Sequence, residues 1–237
     1  MDSPFRFKQF EVRHDRTSMK VGTDGVLLGA WASVDRQPES ILDIGTGTGL
    51  IALMLAQRCG AGTIDAIEID GAAFEQCVEN FEASQWADRL FCYHGGFEDF
   101  SLEMEEGYDL IVSNPPFYEA TVESSHYSRD IARQRKSLPA EILLQGVSRL
   151  LEPEGVFSLI LPYRQEAAFR ELAVGYGLFA RRITRVKGNP VAAVKRSLLA
   201  FSRSKTAPVE DDLVIETSRH HYTNDYLQLV RDFYLKL

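Results

Sequence analysis

Short aliphatic or β-branched runs alternate along the chain with longer segments whose apolar residues return every three or four positions. The runs at 41–44, 63–68, 90–94, 109–113 and 156–161 predict strands, and 179–187 and 196–203 add two more. Between them, Phe74, Cys77, Val78 and Phe81 keep the i, i+3, i+4, i+7 spacing of an amphipathic helix, and similar patterns predict helices over 49–58, 138–151 and 163–176. Such alternation implies a mostly parallel sheet with helices on both faces. The last two strands are separated only by the Gly188-Asn189-Pro190 turn and its continuation, so they are expected to pair antiparallel at one edge of a seven-stranded α/β sheet. Tyr222, Tyr226, Leu229, Val230 and Phe233 mark a closing helix, and the polar stretch 119–128 reads as the loosest segment. One domain over 1–237 is expected, with a segment over 1–36 preceding a core over 37–237.

At 237 residues and 45% apolar, the chain can bury one sizeable core. The start MDSPFRFKQFEV has no cationic lead into an apolar stretch, and no run approaches the length that spans a bilayer. A soluble, cytoplasmic protein without a membrane partner is the expectation. Cys59, Cys77 and Cys92 are widely spaced and form no C-x-x-C, so neither a disulfide frame nor a zinc site is suggested. His220 and His221 have no Cys or acidic companions at ligand spacing, and no metal is expected.

The net charge of −8 would argue against a nucleic-acid partner if it were spread evenly. It is not: residues 172–209 hold eight Lys and Arg and no acid, and Arg129, Arg133, Arg135 and Lys136 form a second basic group. One-sided placement of this kind makes a phosphate-binding face on an acidic protein, or else a merely solvated basic edge. Arg181, Arg182, Lys195, Arg196 and Arg133 are the candidates for phosphate contact.

Chemistry enters at ILDIGTGTGL, where Asp43, Gly45, Gly47 and Gly49 fall at the turn from the first strand into a helix. Glycines there admit a ligand close to backbone N–H groups at a helix N-terminus. A dinucleotide fingerprint would need glycine at position 50, which is Leu50, so a pyrophosphate-binding dehydrogenase is disfavoured. D-x-G-x-G-x-G instead resembles the cofactor loop of class I S-adenosylmethionine methyltransferases. Glu68, 19 residues after Gly49, stands where an acid accepts ribose hydroxyls, and Asp70 is the alternative, as a helix cap.

The fourth strand ends in SNPPFY. Asn-Pro commonly starts a turn, but N-P-P-F after the glycine loop and Glu68 resembles the [N/D]-P-P-[Y/F] motif of methyltransferases that modify planar amino nitrogens. The chemistry needs each residue. An exocyclic amine is a poor nucleophile because its lone pair is delocalised into the ring. Acceptance of its two hydrogens by the Asn114 side-chain oxygen and the Pro115 carbonyl draws the nitrogen toward tetrahedral geometry. Phe117 stacks on the base, and Tyr118 either shares that role or sits in a core or lid position.

FKQFEVRHDRTSMKVGTDGVLLGAW near the N-terminus, together with the two motifs, VFSLILP and the terminal YLQLVRDFYLKL, is similar to the bacterial tRNA adenine-N6 methyltransferases that act on a valine tRNA at the purine 3′ of the anticodon. The resemblance covers nearly the whole chain. It implies S-adenosyl-L-methionine as cofactor and a tRNA anticodon stem-loop as partner. It also implies that segment 1–36 packs near the cofactor pocket, with Lys20, Gly22, Thr23 and Asp24 toward the methionine end. Read from the residues, Thr23 or Asp24 equally suits a cap on a short helix holding Leu27, Leu28 and Trp31. Two positions depart from the family pattern: Gly96 in HGGFEDF replaces the acid for the adenine amine, leaving the backbone and ring of Phe97, Glu98 or Asp99, and Gln134 follows Ala132-Arg133 where histidine is usual. The competing readings are a glutamine-N5 methyltransferase of a release factor, a ribosomal RNA guanine-N2 methyltransferase and a non-catalytic cofactor-binding scaffold.

Overall fold

A computed structural model describes residues 3–17, 19–115 and 138–236. Among them, eight strands form one sheet: β1 (Ser40–Ile44), β2 (Thr63–Glu68), β3 (Leu90–His94), β4 (Tyr108–Ser113), β5 (Leu151–Pro162), β6 (Phe179–Lys187), β7 (Arg196–Ser202) and β8 (Val209–Val214). Their spatial order is β3-β2-β1-β4-β5-β7-β6-β8. Neighbours run parallel except for β7, which is antiparallel to both β5 and β6. The chain works outward from β1 to β3 and then returns to β4. That reversal opens a crevice at the carboxyl ends of β1 and β4.

The helices are α1 (Thr23–Trp31), α2 (Leu50–Arg58), α3 (Gly71–Glu82), α4 (Phe97–Glu103), α5 (Ala140–Leu150), α6 (Glu166–Gly175) and α7 (Asn224–Val230). Strand side chains alternate between two cores, as the period of two requires. Ile41 and Leu198 face α1, α2, α3 and α7, whereas Leu42 and Leu199 face α4, α5 and α6. Burial of the central strands on both faces explains why β1, β2, β4 and the second half of β5 read as nearly continuous apolar runs. Helix α1 is buried from Gly25 onward and lies close on α2; a Cβ on Gly29 would stand 2.6 Å from Met54 Sδ.

Several expectations need correction. The sheet has an eighth strand, because VEDDLV is too acidic to read as a strand alone but pairs in parallel with the basic β6. Arg182 meets Asp211 at 3.4 Å, Arg185 meets Glu210 at 3.0 Å and Lys187 meets Asp212 at 2.7 Å. The antiparallel pair β6/β7 is present but β8 forms the edge. HGGFEDF runs into the helix α4, a 3₁₀ turn over Tyr163–Gln165 precedes α6, and Tyr222 lies in a two-residue strand before α7. Thr223 caps α7 by accepting from the Tyr226 amide at 3.2 Å. Among the described residues, no helix is long and apolar enough to cross a membrane and no His, Cys, Asp or Glu cluster suits a metal ion.

One buried acid locks α6 onto the sheet. Glu166 accepts from Arg185 at 2.7 and 3.1 Å and from the Ser197 hydroxyl at 2.6 Å. Burial pushes its carboxyl up, but the Arg185 and Ser197 bonds outweigh that and hold it below the ordinary value. Glu166→Ala leaves Arg185 only Glu210 and takes the acceptor from the buried Ser197 hydroxyl, and a loss of about 1–3 kcal/mol in urea unfolding is expected. Glu166→Gln keeps part of the bonding and should lose less; equal losses would mean packing, not charge, is at stake.

Candidate active site

Strand register brings the two sequence motifs together. Ile44 of β1 lies opposite Ser113 of β4, and the Ser113 hydroxyl donates to the Ile44 carbonyl at 2.9 Å. The next residues are Gly45, which opens the glycine loop, and Asn114. At the ordinary strand spacing of about 5 Å, loop and elbow share one crevice. Asn114 is half-buried and Pro115 buried. Phe117, Tyr118, Arg133 and the stretch 119–128 lie outside the described residues.

Gly45, Gly47 and Gly49 adopt φ of 68°, 59° and 80°, the left-handed region that side chains disfavour. At Gly49 a Cβ would also stand 2.5 Å from Phe81 Cε1, so this glycine lets α2 start against α3. Glu68 pins the loop: its Oε2 accepts from the Gly47 amide and its Oε1 from the Asp70 amide, both at 2.8 Å. A carboxylate oxygen accepts more than one bond, so Glu68 retains capacity for ligand hydroxyls. Asp70 caps α3, accepting from the Ala73 amide at 3.1 Å.

Asp43 lies fully buried beneath the loop. Its Oδ2 accepts from the Thr46 hydroxyl at 2.6 Å and the Ala52 amide at 3.3 Å, while Oδ1 has no hydrogen-bond partner among the described residues. Burial pushes its carboxyl up to about 7, with Glu68 adding to the rise and the bonds from Thr46 and Ala52 opposing it. A buried acid with an orphaned oxygen beside a glycine cradle fits a ligand that combines ribose hydroxyls with positive charge. S-adenosylmethionine is such a ligand.

Segment 13–16 is tied to α3, and through Asn80 to the same loop, by two amide side chains that sequence reading missed. Asn80 accepts from the Arg13 amide at 2.9 Å and donates to the Arg13 carbonyl at 3.0 Å and to the Thr48 carbonyl of the loop at 2.8 Å. Gln76 accepts from the Arg16 amide at 3.1 Å and donates to Asp15 at 2.7 Å. The available signal was two amides four residues apart beside the apolar stripe of α3. Gly22, not Thr23 or Asp24, is the N-cap of α1, and no side chain caps it, so the capping alternative is corrected. Thr23 is exposed, Lys20 is exposed, and Asp24 is bound to Arg196 at 2.8 Å. A Cβ on Gly25 would stand 3.0 Å from Leu50 Cδ2, which places the start of α1 beside the exit of the glycine loop.

At the end of β3, the Gly95 amide donates to the Glu68 carbonyl at 3.0 Å and Gly96 is the N-cap of α4 without a side-chain cap. The Phe97 ring is buried against Gly146 of α5, whereas Glu98 and Asp99 are exposed in the first turn.

The basic candidates divide between the two ends of the sheet. Lys195 and Arg196 stand at the carboxyl end, where the Tyr163 amide donates to the Lys195 carbonyl at 3.1 Å and Arg196 pairs with Pro162. Arg181 lies at the opposite end beside Pro38, Glu39 and Asp109. Arg182 packs over Trp31, 4.7 Å from the ring centroid, and pairs with Asp211. Residues 172–209 therefore do not form one phosphate-binding face: the carboxylates of β8 pair with Arg182, Arg185 and Lys187 of β6, Asp24 takes up Arg196, and Arg181 stands at the opposite end of the sheet from Lys195.

A family model described as "Methyltransferase small domain" matches residues 26–141. The chain is 55% identical to a tRNA1(Val) (adenine(37)-N6)-methyltransferase of Flavobacterium johnsoniae, covering 98% of this chain and 100% of that protein. It is 46% identical to the protein of the same name from Bacteroides fragilis, with both chains fully covered. Among solved structures, a protein of Agrobacterium tumefaciens described as a predicted O-methyltransferase superposes with a TM-score of 0.66 at 19% identity, covering 89% of this chain and 96% of its own. A methyltransferase of Pyrococcus furiosus gives 0.55 at 23%, covering 79% and 89%. These establish a class I methyltransferase fold.

Two expectations follow from this geometry. Asp43 is neutral below about pH 7, so uptake of cationic S-adenosylmethionine is coupled to loss of its proton, and affinity should rise across roughly pH 6–8. Because its folded value lies above 3.8, its contribution to stability is full at acid pH and is lost as pH rises through about 7. Calorimetric titration at several pH values should show the rise in wild type and a flatter profile in Asp43→Asn; parallel profiles would clear Asp43 of the coupling. Asn80→Leu leaves the Arg13 and Thr48 groups unpaired and is expected to cost about 1–3 kcal/mol in stability. It should also weaken cofactor affinity, which equilibrium dialysis measures directly.

Proposed function

The chain belongs to the tRNA1(Val) (adenine(37)-N6)-methyltransferase family, and on that premise we propose that it methylates N6 of an adenosine in tRNA, the purine 3′ of the anticodon in a valine tRNA. Identity near half over the full length carries the reading. The register that sets Asn114 beside the glycine loop supports it.

S-adenosylmethionine supplies a methyl group activated by its sulfonium. Glu68 takes the ribose hydroxyls, Asp43 and the loop at Gly45, Gly47 and Gly49 receive the charged end, and Lys20, Thr23 and Asp24 border the methionine arm. The backbone at Gly95–Phe97 and the Glu98 and Asp99 carboxylates stand in for the acid absent at Gly96. The Asn114 oxygen and the Pro115 carbonyl accept the two N6 hydrogens and direct the lone pair, while the consecutive prolines keep the elbow rigid. The nitrogen becomes acidic only as it is alkylated, so its proton passes to solvent and the site needs no strong base. Phe117, with Tyr118 beside it, stacks on the extruded base. An anticodon-loop base is already partly unstacked, so extrusion costs only a few kcal/mol. Residues 1–237 act as one unit in this reading, with 1–36 covering the loop, and the setting is the cytoplasm, where tRNA is modified.

Incubation with radiolabelled cofactor and unmodified total tRNA should yield N6-methyladenosine on nucleoside analysis. Label appearing in protein, in methylguanosine or nowhere would replace this function with one of its competitors. Asn114→Ala should lose at least about 10²-fold in kcat while keeping cofactor affinity; loss of both together would make Asn114 structural.

A further inference from the structure

Strand β5 outruns β4. Leu159 pairs with Ser113, yet β5 continues in register with β7 as far as Pro162 opposite Arg196. Asn114 is one residue past the Ser113 level and Tyr163 is four past the Leu159 level. At about 3.3 Å per residue, Tyr163 rises roughly 10 Å above the Asn114 elbow, one strand to the side. That is the reach of a nucleotide adjoining a base held at the elbow.

What stands there is an aromatic ring on a fixed mount. Tyr163 is 44% exposed at the start of the 3₁₀ turn, and the Arg185 guanidinium lies 6.0 Å from its ring centroid. Arg185 cannot wander, because Glu166 holds it at 2.7 and 3.1 Å and is itself held by Ser197. The ring is flanked by charge: Arg164 follows it, exposed, and Lys195 accepts the Tyr163 amide on its carbonyl. The Lys195 side chain is exposed and has no carboxylate partner among the described residues, whereas the charge of neighbouring Arg196 is taken up by Asp24. A ring with cations beside it is the arrangement that grips single-stranded nucleic acid, stacking a base and pairing its phosphates.

Resting on the reading of this site as an RNA adenine methyltransferase, we infer that the turn after β5 is a second RNA contact: Tyr163 stacks on the base next to the target, and Lys195 holds the adjoining phosphate. Tyr163 is a positioning residue, touching neither the methyl donor nor the reacting nitrogen. The Glu166 lock then has a purpose beyond stability, since it seats the platform before RNA arrives and lowers the ordering cost of binding.

Steady-state kinetics on an anticodon stem-loop RNA test this, with cofactor titration and thermal melting as controls. Tyr163→Ala should raise KM for RNA about tenfold or more with kcat nearly unchanged, and Tyr163→Trp should restore the wild-type value. Lys195→Glu should raise KM and make its salt dependence shallower by about one phosphate contact. An unchanged KM in Tyr163→Ala, with wild type active, overturns the inference and leaves the function standing. Should Tyr163→Ala melt early, Lys195→Glu decides alone, and an unchanged KM and salt slope overturns the inference. No transfer into RNA by wild type removes the functional reading and this contact with it.

Discussion

The pairing of β1 with β4 is the constraint on which the site depends. Parallel strands reverse every side chain if they slip by one residue. Here the register is fixed by apolar residues divided between two cores and by the buried Ser113 hydroxyl on the Ile44 carbonyl. Because of it, the loop that begins at Gly45 and the elbow that begins at Asn114 leave the sheet side by side. The proposed chemistry needs both motifs: the loop to cradle a nucleoside and the Asn114 and Pro115 oxygens to accept from the amine.

Around that seam the structure spends buried polar groups freely, and each ties a loop to the scaffold. Glu68 holds the glycine loop by its Gly47 amide, Asn80 holds the N-terminal segment to Thr48, and Glu166 holds the turn after β5 through Arg185 and Ser197. Unpaired, such groups would be costly to bury. Asp43, beneath the glycine loop, keeps one oxygen without a hydrogen-bond partner among the described residues.

Much of this was legible in the sequence, for physical reasons. The strands β1, β2 and β4 are legible to within one residue because they are buried on both faces, so apolar residues fill nearly every position. The glycine loop and N-P-P were legible because backbone geometry restricts which residues can occupy them. Strand β8 was not, because its identity as a strand depends on the cations of β6 across the ladder, a pairing that local pattern does not contain. The same blindness made residues 172–209 look like one basic face: sequence counts charges, whereas the antiparallel turn between β6 and β7 and the carboxylates of β8 decide where they point and what neutralises them. Gln76 and Asn80 were passed over because amides on a helix ordinarily face water.

The most direct test is a crystal structure with S-adenosylhomocysteine and an adenosine-containing anticodon loop bound. The account predicts the adenine N6 within hydrogen-bond distance of both the Asn114 side-chain oxygen and the Pro115 carbonyl, on the side of the elbow that faces Gly45. An Asn114 side chain turned away from the adenine, with N6 held by other groups, would contradict it.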